Sequence, residues 1–471
     1  MRIFVIPRSL LLLGVVAATY SASADVIHLK NGDVIYADQV KDRANNVEYE
    51  IGDNTFSIPK SKVQSVETGA RPAAASPSVQ MPAFTPETPA GDYGDLLNQI
   101  VRGHEVDRSV LSAIESRGKS DDSAIAYYIA ARAEFEAGKF PDSRRDLETA
   151  LHYSPQSPAI LNYYAAVLVR TGNALDAISY AERAAAIAPD SADAWAVLGY
   201  AQFSASRNQD AVLSWKKSLV LRFDPSVQKM IERAERETST ESSYSERETG
   251  HFVLHYEGRQ SSEAFREQLL STLESAYQDL AHEFGAEQRL TIQVVLYTNQ
   301  AFFDVTRAPA WMGALNDGKL RIPLQGLDSV TPELARVLRH ELTHSFVNSV
   351  TLGRCPEWLN EGIAQMLEPQ SLGSRAADLA QLYQGEHEIP LNSLEHGYAS
   401  FNGVEARLAY DEALASAEYI RNHYGMSDML QVLQHLGQGD SVESSLRAVL
   451  HTDYAHLEDE IRGYVVGQSG N

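Results

Sequence analysis

The chain has 471 residues, a length that suggests about three domains, and its formal net charge is −23 at pH 7. This acidic balance argues against nucleic acid and against an anionic membrane surface as partners. Cys355 is the single cysteine and lies far from the N terminus, which excludes both a disulfide framework and a lipidated N-terminal cysteine.

The first 24 residues have the pattern of a secretion signal. Arg2 and Arg8 flank an apolar run that is nearly continuous from Leu10 to Ala18, and Ala22-Ser23-Ala24 offers a cleavage site of small residues. The run is short for a membrane span, and no later stretch reaches roughly 18 apolar residues. We therefore expect an exported chain, periplasmic or secreted, without a stable membrane anchor.

Residues 25–68 are predicted to form a small all-β, barrel-like module that serves docking or packing. The apolar runs Val26–Leu29 and Val34–Tyr36 are separated by an Asn-Gly-Asp turn, which is a hairpin signal. Further strands are expected around Val47–Tyr49 and Thr55–Ile58.

Residues 69–92 are rich in proline, alanine and serine and are predicted to form a flexible linker. Residues 93–238 are predicted to be helical. Within them a period of 34 residues defines three units. The units are residues 124–157, 158–191 and 192–225.

Equivalent positions of these units carry similar side chains. One position has Tyr127, Leu161 and Trp195, and another has the small residues Ala131, Ala165 and Gly199. The pattern resembles the tetratricopeptide repeat, which implies an α-solenoid with a concave face for peptides or partner proteins. The alternative is an array that only spaces the domains, and no feature of the sequence identifies a ligand.

Residues 239–471 are expected to form an α+β domain. Strands are predicted at Phe252–Tyr256, Leu290–Tyr297 and Lys319–Pro323, with an amphipathic helix from Ser262 to Phe284. The segment from His340 to His344 follows these elements, and the remainder of the chain is predicted to be helical.

His340-Glu341-Leu342-Thr343-His344 is the most informative segment of the chain. Histidines at i and i+4 project from one helix face, so both imidazoles can reach one metal ion. Thr331 as N-cap and Pro332 in the first turn predict that the segment is helical. Leu334, Leu338, Leu342 and Phe346 recur every four residues and predict a buried apolar stripe beside the face of the two histidines.

Glu341 lies beside the two histidines, where a carboxylate can take a proton from a metal-activated water. The third ligand is expected to be Glu361, in a second short helix predicted from Pro356 to Leu367.

Two other histidine pairs lack this arrangement. His251 and His255 lie in a β-type run that separates them by about 13 Å. His451 and His456 are five residues apart, which is outside the register that places two side chains on one helix face.

The motif together with Trp358-Leu359-Asn360-Glu361-Gly362 resembles the gluzincins, and the similarity to the peptidase-MA-like domain extends over roughly residues 248–465. The resemblance implies a zincin-like metallopeptidase domain that binds Zn²⁺ through His340, His344 and Glu361, with Glu341 as the catalytic base.

The segment Ala409-Tyr410-Asp411-Glu412-Ala413 resembles the one that carries an oxyanion-stabilising tyrosine in aminopeptidase-N-like gluzincins. By this resemblance Tyr410 is the candidate oxyanion donor, although Asp-Glu-Ala replaces the Glu-Lys-Gly of those enzymes. Met312–Asp317 corresponds to their Gly-x-Met-Glu-Asn strand. Its glutamate, which holds a free amino terminus, is missing here, and this favours an endopeptidase.

The sequence thus predicts an exported, multidomain zinc metallopeptidase that acts on protein or peptide substrates, with repeats that recruit substrate or partner proteins. The main alternative is a non-catalytic periplasmic adaptor or chaperone that binds partners through the repeats. Hydrolysis of cell-wall peptides is a third, weaker alternative. The sequence does not select residues that support the ligands, and Asn360 and Glu368 are no stronger than other polar neighbours.

Overall fold

The computed structural model describes residues 24–30, 34–37, 39–43, 46–51, 54–70, 94–102, 105–285, 291–306, 314–324, 327–368, 375–385, 388–398, 401 and 403–468. The predicted secretion signal, apart from Ala24, and the predicted linker from residue 71 onward lie outside these residues. Within them, no helix has both the length and the apolar character needed to cross a membrane.

The N-terminal region is all-β, as predicted. Its strands are β1 (Ala24–Leu29), β2 (Val34–Ala37), β3 (Gln39–Asp42), β4 (Asn46–Ile51), β5 (Asn54–Pro59) and β6 (Val63–Ala70). They form two three-stranded sheets with the orders β2-β1-β6 and β3-β4-β5. The predicted hairpin is present, with Val26 opposite Tyr36 in antiparallel register. Strand β6 continues to Ala70, into the range predicted as linker.

The central region is helical and contains one short β-hairpin. Its elements are α1 (Gly94–Ile100), β7 (Val101–Arg102), β8 (Glu105–Val106), α2 (Arg108–Glu115), α3 (Ser120–Glu136), α4 (Phe140–Tyr153), α5 (Pro158–Arg170), α6 (Ala174–Ile187), α7 (Ala192–Ser204), α8 (Asn208–Leu221) and α9 (Pro225–Glu241). Serine caps begin two of the repeat units, because Ser157 accepts from the Ile160 N–H and Ser191 from the Ala194 N–H. Helix α3 packs against α4, α5 against α6, and α7 against α8, which gives three consecutive helix pairs.

Small residues allow these helices to pack closely. Ala131 and Ala165 are fully buried. At the equivalent position, a Cβ on Gly199 would lie 2.3 Å from Nε1 of the buried Trp215. A larger side chain there would force helices α7 and α8 apart.

The C-terminal region combines a sheet with many helices. Its elements are β9 (Ser245–Glu248), β10 (Phe252–Tyr256), α10 (Glu263–Phe284), β11 (Ile292–Tyr297), α11 (Asn299–Thr306), β12 (Leu315–Asn316), β13 (Leu320–Pro323), α12 (Pro332–Thr351), α13 (Glu357–Leu367), α14 (Arg375–Gln384), α15 (Gly403–His423), α16 (Met426–Gly437), α17 (Val442–Val449) and α18 (Tyr454–Gln468).

The five-stranded sheet has the order β12-β13-β11-β10-β9. Strands β10, β11 and β13 are parallel, whereas β9 and β12 pair antiparallel at the two edges. Helix α12 packs beside α10 through Phe346, whose ring centroid lies 5.2 Å from that of Tyr277. The core of this region therefore holds α12 against α10.

Among the described residues, the repeat region and the C-terminal region are in contact through α9 and through Arg354. Helix α9 leads directly into β9 and forms buried ion pairs with the β12–β13 edge. In the second contact, Arg354 from the loop between α12 and α13 lies against Gly138 and donates to the Ala137 carbonyl at 3.5 Å. The two regions are therefore packed together as neighbours.

Candidate metal centre

Helix α12 carries the histidine motif, and it begins where the sequence predicts. The Thr331 hydroxyl accepts from the Leu334 N–H at 3.1 Å, and Pro332 occupies the first turn. A predicted apolar stripe on this helix is buried and consists of Leu334, Leu338, Leu342 and Phe346. Burial of that stripe turns the adjacent face, with His340 and His344, toward α13.

Helix α13 carries Glu361 and packs very closely against α15. A Cβ on Gly362 would lie 2.2 Å from the Ala413 carbonyl oxygen, so only glycine fits between these helices. Gln365 also donates to the Tyr410 carbonyl at 2.9 Å. The glycine after Glu361 therefore lets the helix that carries Tyr410 approach the helix that carries Glu361.

The structure brings His340, His344 and Glu361 together. Their ligand atoms all lie within 4.8 Å of one another, and His344 and Glu361 are buried. The Glu361 carboxylate contacts both rings: Oε2 is 3.4 Å from His340 Nε2, and Oε1 is 3.6 Å from His344 Nε2.

These donors fit a zinc ion. Tetrahedral zinc with bonds of about 2.0–2.2 Å requires ligand atoms about 3.3–3.6 Å apart. The two distances to Glu361 involve different oxygens, Oε2 and Oε1, and the three ligand atoms lie within 4.8 Å of one another, so a small side-chain adjustment would bring them to this spacing. Two imidazoles and one carboxylate also match the donor set of a catalytic zinc site, which leaves a fourth position for water.

The electrostatics of the three residues show how the site balances its charges. Burial disfavours the charged form of His340, but the carboxylates of Glu361 and Glu368 outweigh it and hold its pKa well above the usual value. Burial likewise opposes ionisation of Glu361, but His344 and His340 keep its pKa below its usual value. The site therefore holds an ionised carboxylate that is ready to act as a ligand.

Glu341 lies next to the three donors and contacts strand β12. Burial raises the pKa of Glu341, and the Glu361 charge adds to this effect, while His344 and His340 oppose it. The Asn316 side chain donates to the Glu341 backbone carbonyl at 2.7 Å and to Ser345 Oγ at 2.6 Å. A raised pKa suits a carboxylate that accepts and then returns a proton.

Each histidine also has a partner on its other ring nitrogen. His344 Nδ1 lies 3.0 Å from Asn360 Oδ1, and His340 Nδ1 lies 3.6 Å from Glu368 Oε2. The partners orient the rings so that each Nε2 faces Glu361. The structure thus selects, from the polar neighbours, the two residues that the sequence could not distinguish.

Tyr410 is partly buried and lies near the same acidic groups. The charge of Glu361, then burial, Glu357 and Glu341 raise the pKa of Tyr410 well above its usual value, so its phenol remains a hydrogen-bond donor. Of the segment that corresponds to the aminopeptidase Gly-x-Met-Glu-Asn strand, Met312 and Gly313 lie outside the described residues. Asn316 belongs to edge strand β12.

Sequence reasoning missed Tyr398, Gln365 and the role of Asn316. The Tyr398 ring meets the Tyr410 ring edge to face at a centroid distance of 5.3 Å, and the Tyr398 hydroxyl is buried without a hydrogen-bond partner among the described residues. No periodicity marks these residues, because their contacts join elements that are distant in sequence.

Comparison with known families agrees with this organisation. Residues 272–467 match the peptidase MA superfamily, and residues 128–192 and 167–226 match the tetratricopeptide repeat. The chain carries a peptidase MA superfamily domain preceded by tetratricopeptide repeats. No curated protein gives a significant match to the chain.

The peptidase MA match begins inside α10 and includes α12, α13 and α15, and therefore the three donors together with Glu341 and Tyr410. The repeat matches span α3 to α8 and reach the start of α9. The chain therefore has a peptidase-like domain next to an array of the kind that binds other proteins.

Proposed function

We propose that the chain is an exported zinc metallopeptidase that cleaves internal peptide bonds of protein substrates. The observation that carries this proposal is the meeting of His340, His344 and Glu361, with Glu341 on the adjacent helix position. A structural zinc site would be closed by four protein ligands and would need no neighbouring base.

In this proposal His340, His344 and Glu361 hold the zinc ion. Bound zinc supplies a Lewis acid that makes water a nucleophile at neutral pH. Glu341 takes a proton from that water as it attacks the peptide carbonyl, and later delivers the proton to the departing amine. The Tyr410 phenol donates a hydrogen bond to the oxyanion that develops on the carbonyl oxygen.

Edge strand β12 supports an endopeptidase. Strand β12 is the outer strand of the described sheet, and such an edge can pair with an extended peptide through main-chain hydrogen bonds. No glutamate lies between Met312 and Asp317 to hold a free amino terminus. The repeats would recruit a substrate or a partner protein to the same molecule.

The decisive experiment compares Glu341→Gln with the parent on fluorescently labelled casein and on a library of peptides blocked at both ends. The expected result is cleavage by the parent, none by Glu341→Gln, and equal zinc content in both. Glu333→Gln is the matched control, because Glu333 is exposed in the first turn of the same helix. Undiminished cleavage by Glu341→Gln would defeat the mechanism.

Export is tested separately. The N-terminal sequence of the protein recovered from the periplasm or the medium is expected to begin at Asp25, after removal of the predicted signal. An intact Met1 in protein that remains in the cytoplasm would refute this part of the proposal.

A further inference from the structure

Six charged side chains join α9, the helix that follows the repeats, to the edge of the peptidase sheet. Three are acidic and three are basic. Helix α9 contributes Arg233, Glu237 and Glu241, and the β12–β13 edge contributes Asp317, Lys319 and Arg321. The charges balance, so the cluster can be buried without a net charge.

The centre of this cluster is almost fully buried. The side chains of Glu237, Arg321 and Asp317 are 0%, 1% and 3% exposed. Arg321 donates to Glu237 Oε1 at 2.8 Å and to Asp317 Oδ1 at 2.9 Å. Arg233 bridges the same two acids from the α9 side, at 3.0 Å from Glu237 Oε1 and in direct contact with Asp317.

Such a cluster fixes geometry more strictly than apolar packing does. Removing one member of a buried ion pair leaves an uncompensated buried charge, whereas apolar side chains tolerate small shifts. Burial would raise the pKa of Glu237, but Arg321, Lys319 and Arg233 lower it to about 2. The position of α9 and that of Asp317 are therefore tied together.

Asn316, the neighbour of Asp317, reaches the proposed catalytic base in two ways. Its side-chain amide donates to the Glu341 carbonyl at 2.7 Å, and its backbone N–H donates toward the Glu341 carboxylate. The turn that follows is also fixed, since Asn316 Oδ1 accepts from the Gly318 N–H at 3.2 Å. A displacement of Asp317 would thus move the groups that hold Glu341.

We propose that Asn316 is a positioning residue for Glu341, and that α9, which packs on the last repeat helix α8, holds Asn316 in place through Arg233, Glu237, Arg321 and Asp317. Helix α9 then contributes to the activity of the peptidase. A protein that binds the repeats and shifts α9 changes the turnover rate. The effect of this linkage on turnover rests on the proposed function, whereas the structural coupling between α9 and Asn316 does not.

Two substitutions break the linkage at its two ends. Arg233→Met removes the bridge from α9 while Arg321 still pairs with both acids, and Asn316→Ala removes the side-chain contact with Glu341. Lys229→Met is the matched control, because it removes a positive charge from an exposed position one turn earlier on α9.

The first readout is amide hydrogen exchange in residues 314–319 and 340–345 of the full chain. Exchange is expected to be about tenfold faster in Arg233→Met and Asn316→Ala, and unchanged in Lys229→Met, since the protecting contacts loosen locally. Unchanged exchange in Arg233→Met would overturn the linkage through α9. This measurement decides the linkage even if the parent cleaves no peptide.

The second readout is the kinetics on one blocked peptide chosen from the library. Both substitutions are expected to lower kcat about tenfold while KM and zinc content stay at the parent value, because only Glu341 is misplaced. A change in KM alone would refute positioning. If Arg233→Met proves unfolded, Arg233→Lys replaces it, since a single ammonium cannot bridge Glu237 and Asp317 as the guanidinium does.

Discussion

His344 and Asn360 are joined by a contact of 3.0 Å between Nδ1 and the amide oxygen Oδ1. Because an amide oxygen only accepts, Nδ1 carries a proton in this contact, and Nε2, which lies 3.6 Å from Glu361 Oε1, is the ring nitrogen left for a metal ion. Asn360 therefore sets the tautomer that a metal-binding histidine needs.

Asn360→Ala is expected to weaken zinc binding about 10–100-fold without unfolding the domain, because His344 loses the group that orients it. Competition with a fluorescent zinc chelator measures the affinity. Asn360→Asp keeps an acceptor at the same place and is the control, expected to bind zinc more tightly than Asn360→Ala. Equal affinities in the parent and Asn360→Ala would contradict this role.

Two tyrosines in ring contact are expected to behave differently. Tyr410→Phe should lower kcat about 100-fold with unchanged zinc content, because it removes the proposed oxyanion donor. Tyr398→Phe should leave kcat unchanged and raise the free energy of unfolding by up to about 1 kcal/mol, because its buried hydroxyl lacks a partner among the described residues. Steady-state kinetics and urea denaturation test the pair. A greater loss of kcat in Tyr398→Phe than in Tyr410→Phe would assign the oxyanion donor to Tyr398 instead of Tyr410.

Gly362→Ala tests the close approach of α13 and α15. The added methyl would meet the Ala413 carbonyl oxygen, so we expect a loss of about 1–3 kcal/mol in the free energy of unfolding. Gly463 lies in α18 with open space around it, and Gly463→Ala should stabilise by about 0.5–1 kcal/mol. Equal denaturation midpoints for the two variants would argue against the close packing of α13 on α15 at Gly362.

Glu412 gives a prediction about pH. Burial raises its pKa to about 8; the Ile389 N–H opposes this effect, and the charges of Glu388, Glu458 and Asp411 add to it. Because the folded-state pKa exceeds the usual 4.5, this group's contribution to stability is complete below about pH 4.5 and is lost as the pH rises through about 8.

Glu412→Gln removes this titration and keeps the shape of the side chain. It is expected to stabilise the domain by on the order of 2 kcal/mol at pH 9 and to have little effect at pH 4.5. Urea denaturation at the two pH values, in excess zinc, measures the difference. Parallel pH dependences of parent and variant would show that Glu412 is ionised in the folded protein.

The sequence predicts the features that depend on local periodicity. The cap at Thr331, the buried stripe of α12 and the helix that carries Glu361 follow from spacing along one helix, and the structure contains all three. The repeat helices follow in the same way from their 34-residue period.

The missed features depend on contacts between distant segments. Arg321 and Glu237 are 84 residues apart in sequence, and no pattern at either position announces their pairing. Strand β3 was missed because Gln39–Asp42 is mostly polar and forms a strand only by pairing with β4. Tyr398 has no neighbouring motif and reaches Tyr410 only through the tertiary fold.

The most direct test of the account is the zinc content of the purified mature protein, measured by elemental analysis beside His344→Ala. We expect about one zinc per chain in the parent and little in the variant, because the variant loses one of three protein ligands. A parent that binds no zinc, even when purified with added zinc, would contradict the account and favour an adaptor that acts through its repeats.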